Sequence, residues 1–161
     1  MPLVIDGHNL LWSIHKPGKD HDHANDIQLC HLLARYLKLT GETAVIVFDG
    51  AGPSDKSAFD NISGLEVVFA GLSADADTVI EDKIKANTAP KRMTVVSSDR
   101  RLRAAARARK ATAVKSEVFW RSLQKKLSRK ESSEKSEPSA KRLGLSSAET
   151  EQWLKFFNLD Q

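Results

Sequence analysis

Leu3-Val4-Ile5-Asp6-Gly7-His8-Asn9 is the stretch on which the fold turns. Three apolar residues stop at a carboxylate, and a glycine follows at once. The form recurs in Val45-Ile46-Val47-Phe48-Asp49 and in Met93-Thr94-Val95-Val96-Ser97-Ser98-Asp99, while Val67-Val68-Phe69 leads on to Asp75 and Asp77. Runs this short and this uniformly apolar fit strands buried on both faces of a parallel sheet. In open sheets of that kind, ligands bind outside the carboxyl ends of the strands. If the four ends meet there, their acids share one crevice. Two unit charges 5 Å apart at an effective dielectric near 20 repel by roughly 3 kcal/mol, so several such pairs call for protons or a divalent cation. The acids therefore read as a metal site.

Between these strands the apolar spacing becomes helical. Asn25 or Asp26 caps a helix carrying Ile27, Leu29, Leu32, Leu33, Tyr36 and Leu37 and ended by Gly41. Ser73 or Asp75 opens a second, with Val79, Ile80 and Ile84, that stops before Pro90; a third is expected over 99–110. Ala111–Val114 reads as a short fifth strand, followed by a helix through Phe119, Trp120, Leu123 and Leu127. The alternation predicts a three-layer α/β domain over residues 1–127, with a mostly parallel sheet of about five strands. Residues 128–142 are low in complexity and highly charged, and read as a flexible linker. Ser146-Ser147-Ala148-Glu149 is a capping box that opens a C-terminal amphipathic helix within 143–161, whose Trp153, Leu154, Phe156 and Phe157 are expected to dock on the domain.

The chain has 161 residues and a net charge of +4, unevenly spread. Residues 1–99 hold 9 Lys and Arg against 14 Asp and Glu, whereas residues 100–142 hold 15 against 4. An acidic crevice beside a basic belt suits a polyanionic substrate, because cations hold what the crevice alone would repel. Arg100, Arg101, Arg103, Arg107 and Arg109, with Lys125 and Lys126, are the candidates to grip phosphates, although helical spacing cannot put all five arginines on one face. Trp12 reads as a core residue, with base stacking the alternative. The single cysteine, Cys30, excludes an internal disulfide and reads as a small buried hydrophobe in a reducing compartment. No run approaches the roughly 18 apolar residues of a membrane span. A soluble cytoplasmic protein, with no membrane association, is expected.

Other chemistries fit less well. The chain lacks both the Gly-x-x-x-x-Gly-Lys phosphate loop and the Gly-x-Gly-x-x-Gly turn. His8 stands where a haloacid-dehalogenase-type phosphatase needs its second acid, and Asp6-Gly7 lacks the adjacent acids of a receiver domain. His15, His21 and His23 lie in a loop-like stretch and read as solvated. Oxygen ligands favour a hard divalent cation. Asp77 and Glu81, four apart, share a helix face, with a surface pair between Glu81 and Lys85 the plain alternative for Glu81. Asp75 reads as a cap, and Asp49 as an acid one strand off centre.

Taken in order, Leu3–Leu10, Val47-Phe48-Asp49-Gly50, Ala76–Glu81 and Val95–Arg100 resemble the successive motifs of the YacP-like branch of NYN domains, within the PIN-like nuclease superfamily. The resemblance covers about residues 2–127. It implies a Rossmann-like fold, an acidic pocket for Mg²⁺ or Mn²⁺, and endoribonuclease activity on RNA. Residue by residue, it implies that Asp6, Asp77 and Asp99 form the acidic core, that Asn9 is the motif asparagine, and that Glu81 and Asp49 are accessory acids. The YacP-like branch also implies cutting of mRNA on the ribosome. One departure stands out: Arg100, Arg101 and Arg103 fill the stretch where many PIN domains place a further acid. The rival reading is a non-catalytic RNA- or ribosome-binding module with vestigial acids. Oligomeric state is not legible in the sequence.

Overall fold

A computed structural model of the chain describes residues 2–14 and 23–135. Five strands form one sheet: β1 (Pro2–Asp6), β2 (Thr43–Phe48), β3 (Leu65–Phe69), β4 (Thr94–Val96) and β5 (Thr112–Val114). The spatial order is β3-β2-β1-β4-β5 and every pairing is parallel, a stricter result than the mostly parallel sheet expected. Five helices connect and follow the strands: α1 (Gly7–Ile14), α2 (His23–Thr40), α3 (Ala76–Ala86), α4 (Arg100–Ala108) and α5 (Ser116–Lys135).

The period of two divides the strand residues between two cores. Leu3, Ile5, Ala44, Ile46, Phe48 and Val96 face α1, α2 and α5, where Trp120 and Leu123 are buried. Val4, Val47 and Val95 face α3 and α4, against Ile80, Ile84, Leu102 and Ala106. The uniformly apolar runs are thus explained, since a strand covered on both sides has no solvent face to make polar. The connections fit a right-handed rule as well: crossovers moving opposite ways along the sheet lie on opposite faces.

That topology positions the site. From β1 the chain moves outward through β2 to β3, then returns past β1 to β4. The reversal leaves a crevice between the carboxyl ends of β1 and β4, where Asp6 and Asp99 lie. By alternation Asp6 shares the face of Val4, the side on which α3 and α4 begin.

Several local expectations are corrected. The segment after β1 is helical from Gly7 itself, and Gly7 is absent from the positive-φ glycines. Its necessity is one of space, because an added Cβ would lie 2.5 Å from the Phe48 ring. Helix α2 begins at His23, ahead of the expected caps Asn25 and Asp26. Gly41 does end it, at φ 71°. Helix α5 runs on to Lys135, into the segment read as linker, because a chain rich in Lys, Arg and Glu is also a competent helix former. Trp12 is 56% exposed rather than buried, since Leu10, Leu11 and Ile14 take the inward face of α1. His15, His21 and the expected C-terminal helix lie outside the described residues. Among those described, no helix is long and apolar enough to cross a membrane.

Candidate active site

Asp6 ends β1 and is 6% exposed. Its Oδ1 accepts from the Asn9 amide at 3.4 Å and its Oδ2 from the Ser97 hydroxyl at 3.3 Å. Burial is the main cause that pushes its pKa up to about 6; the Asn9 amide opposes this, and the charges of Asp77 and Asp49 add to it. Two weak donors do not compensate for removal from water.

Asp77 lies in the first turn of α3 and is partly buried. Its pKa is raised by desolvation, then by the charges of Asp99, Asp75 and Asp49, while Arg101 opposes the shift. Asp6 thus feels the charges of Asp77 and Asp49, and Asp77 those of Asp99, Asp75 and Asp49, across the carboxyl edge. These acids do not converge into a ready-made cage: among the described residues no three Asp, Glu, His or Cys side chains are placed to hold an ion. Like charges resist closer approach, and several of these carboxylates already have protein donors.

Asp99 is the N-cap of α4, accepting from the Arg101 amide at 2.7 Å and the Leu102 amide at 3.4 Å. Asp75 caps α3 through the Thr78 amide at 2.8 Å, as expected. Asp49 accepts from the Ala76 amide at 2.7 Å and lies 3.5 Å from His8 Nδ1. Glu81 pairs with Arg101 across the α3–α4 seam, not with Lys85 on its own helix as the alternative had it. That hydrogen bond is the main cause of the lowered pKa of Glu81.

Asn9 is a clamp between elements. Its Oδ1 accepts from the Ser98 amide at 2.8 Å and from the Ser116 hydroxyl at 2.6 Å, joining the first turn of α1 to the end of β4 and the start of α5. Three serines that sequence reasoning passed over complete the network. Ser97, fully buried, donates to Asp6 and accepts from the Asp99 amide at 3.1 Å, and so spans two of the acids. Ser98 Oγ donates to Glu117 at 2.8 Å and accepts from the Ser116 amide at 3.1 Å. Ser-Ser before a strand-end acid was the only signal available in the sequence.

The basic residues divide into groups. Arg100, Arg103 and Arg107, at i, i+3 and i+7, lie along one side of α4. Arg101 is engaged by Glu81, and Arg109 Nη2 donates to the Asn87 carbonyl at 2.9 Å. Lys125 and Lys126 are exposed on α5, about 14 Å along the helix from Ser116 and in the opposite layer from the arginines. An open groove of about 560 Å³ lies at the other end of the sheet, lined by Pro2, Thr43, Leu65, Lys83 and Met93 among others. It is remote from the acids at the carboxyl edge.

The donor set tests the implied cofactor. Mg²⁺ binds through one or two carboxylates and retains several waters, so it does not require three converging side chains. Asp6 and Asp77, whose charged forms are disfavoured in part by neighbouring acids, fit such a hydrated hard cation.

An all-parallel α/β sheet with acids at its switch point is an arrangement that PIN-like domains use, and the family match places the chain among them. Within that class the chain belongs to the YacP-like NYN domain family, a PIN-like nuclease family, whose model matches residues 3–158. The match runs beyond Leu127, where the motif resemblance ended. Crystal structures of Rae1 (YacP) from Bacillus subtilis share the fold. One superposes with a TM-score of 0.71 at 22% identity, covering 98% of this chain and 92% of that one. A mutant of the same protein gives 0.69 at 24% identity, covering 96% and 91%. Comparison with curated proteins returns no match.

Proposed function

We propose that this chain is an endoribonuclease dependent on Mg²⁺ or Mn²⁺, hydrolysing phosphodiester bonds of mRNA in association with the ribosome in the cytoplasm. The observation that carries this reading is Asp6, a strand-end carboxylate only 6% exposed and tied through the Ser97 hydroxyl to the backbone of Asp99. Membership of a PIN-like nuclease family supports the same reading. A divalent cation at these acids would supply water activation and charge neutralisation at the leaving oxygen.

The chain's own residues have separable tasks. Asp6 and Asp77 offer oxygen ligands. Ser97 holds the carboxylate of Asp6 and the backbone of Asp99 in one register. Asn9 ties the β4 end to the first turn of α1, which helps to hold together the two distant segments that contribute the acids. Arg100, Arg103 and Arg107 offer cations along one side for the phosphates that flank the cut. Metal-activated water needs no 2′-hydroxyl, so preference for RNA arises along the binding path.

The test incubates the full chain with RNA and ribosomes in Mn²⁺ or EDTA, beside Asp6→Asn and Asp99→Asn. Cutting that needs the cation and both acids is expected. Metal-independent cutting that survives both substitutions would end the proposal. The non-catalytic alternative draws on the absence of a ready-made cage among the described residues, and requires that Asp6→Asn leave any biological effect intact.

A further inference from the structure

A phosphate entering this crevice meets acids first, so its binding depends on which donors remain. Helix N-termini are the usual source, because their first amides point outward with partial positive charge. All three helices that begin at the acids, α1, α3 and α4, already have a carboxylate on at least one first-turn amide, and in α1 it is Asp6 that accepts from the Asn9 amide. Asp99 takes the Arg101 and Leu102 amides of α4, Asp75 takes the Thr78 amide of α3, and Asp49 takes the Ala76 amide. With those amides taken, side-chain donors gain weight in holding a phosphate.

One cationic side chain is held across the α3–α4 seam beside these acids. Arg101, in the first turn of α4, reaches to α3 and gives its Nε–H to Glu81. Glu81 lies one turn beyond Asp77, a separation of about 6 Å on a helix face. The charge of Arg101 is felt by Asp75, Asp77 and Glu81 together. Its side chain is 59% exposed, and among the described residues it bonds to Glu81 through Nε. A guanidinium bound in this way keeps its terminal N–H groups for a second, forked acceptor, the geometry that suits a phosphate.

We infer that Arg101 is the residue that grips the scissile phosphate beside the acids, with Glu81 as the positioning residue that holds it there. The inference rests on the nuclease reading above and reassigns Glu81, expected to be an accessory acid for the cation. It also gives a physical role to the arginine found where a further acid was expected: a fixed positive charge takes the place of another carboxylate. A charge supplied by the chain acts on the substrate without a second cation.

The experiment follows three quantities in the full chain: cleavage of a short single-stranded RNA, affinity for that RNA in an Asp6→Asn background, and Mn²⁺ affinity by calorimetry. Arg101→Ala is expected to lower kcat about 100-fold, the scale of losing one oxyanion donor, with a much smaller change in KM. Arg101→Lys should recover part of the loss, because a point charge replaces a fork. In the Asp6→Asn background, Arg101→Ala should weaken RNA binding by about ten-fold, the order of one charge-assisted contact. Mn²⁺ binding should tighten, since a positive charge beside Asp77 is gone. Melting temperature should hardly move, because exposed ion pairs contribute little.

Cleavage by Arg101→Ala at the wild-type rate would overturn the inference while leaving the nuclease reading in place. A matched drop in melting temperature and kcat for Arg101→Ala and Glu81→Gln would also overturn it, by showing a structural tie. If wild-type protein fails to cut while Arg101-dependent RNA binding persists, the nuclease reading falls and the assignment of Arg101 to a scissile phosphate falls with it. Loss of neither cutting nor binding on replacing Arg101 sinks the grip alone.

Discussion

The side-chain oxygen of Asn9 accepts the backbone amide of Ser98 at 2.8 Å, across 89 residues of sequence. Through that bond and its second acceptor contact with Ser116, the first turn of α1 is tied to the end of β4 and the start of α5. An uncharged amide thus helps to hold together the segments that carry Asp6 and Asp99. Deleting it leaves two polar donors without their acceptor.

Asn9→Ala is accordingly expected to destabilise the fold by about 1–3 kcal/mol, the cost of stranding partly buried donors. Urea denaturation at neutral pH measures it. Stability within a few tenths of wild type would show that Ser98 and Ser116 find other acceptors.

Asp6 makes stability depend on pH. Its folded-state pKa, about 6, lies above the 3.8 of a free aspartate side chain, so the folded protein binds more protons between those values. Stability then falls as pH rises through that window, and the full penalty is present above about pH 6. Asp6→Asn should relieve it, raising stability by on the order of 2–3 kcal/mol at pH 7.5, with the gain fading toward pH 4. Thermal unfolding of both proteins across pH 4–8 is the measurement. A gain constant over that range would contradict the assignment.

Cation binding should titrate with the same group. Mn²⁺ must displace the proton on Asp6, so affinity is expected to rise by up to about ten-fold per pH unit below 6 and to level off above 7. Asp77→Asn should weaken binding at every pH. Calorimetry at pH 5, 6, 7 and 8 decides this; affinity independent of pH would remove Asp6 from the site.

Gly7→Ala tests the packing behind β1. The new methyl would meet the Phe48 ring at 2.5 Å and the Val47 carbonyl at 3.0 Å. Phe48 is fully buried and stacks on Phe69, so it has little room to yield. A loss of roughly 1–3 kcal/mol is expected from overpacking. A melting temperature equal to wild type would show that the ring moves freely.

Much of this architecture was already legible as pattern. Leu3–Ile5, Val45–Phe48 and Val95–Val96 are continuous apolar runs because each strand is covered on both faces, and that constraint is local to each segment. Caps were legible for the same reason: Asp75 reaches Thr78 within one helical turn. The acids at the strand ends follow from strand length alone.

Partner choice was another matter. Nothing near Asn9 in the sequence marks Ser98 or Ser116, and nothing near Glu81 favours Arg101 over Lys85. Ser97 spans Asp6 and Asp99, and Gly7 yields to Phe48, only because the sheet runs β3-β2-β1-β4-β5. Periodicity along a chain encodes which side of an element is buried, since burial repeats with the backbone's own geometry. Which distant side chains then meet depends on how the elements are ordered in space, and here that order turned a run of separate carboxylates into one crevice.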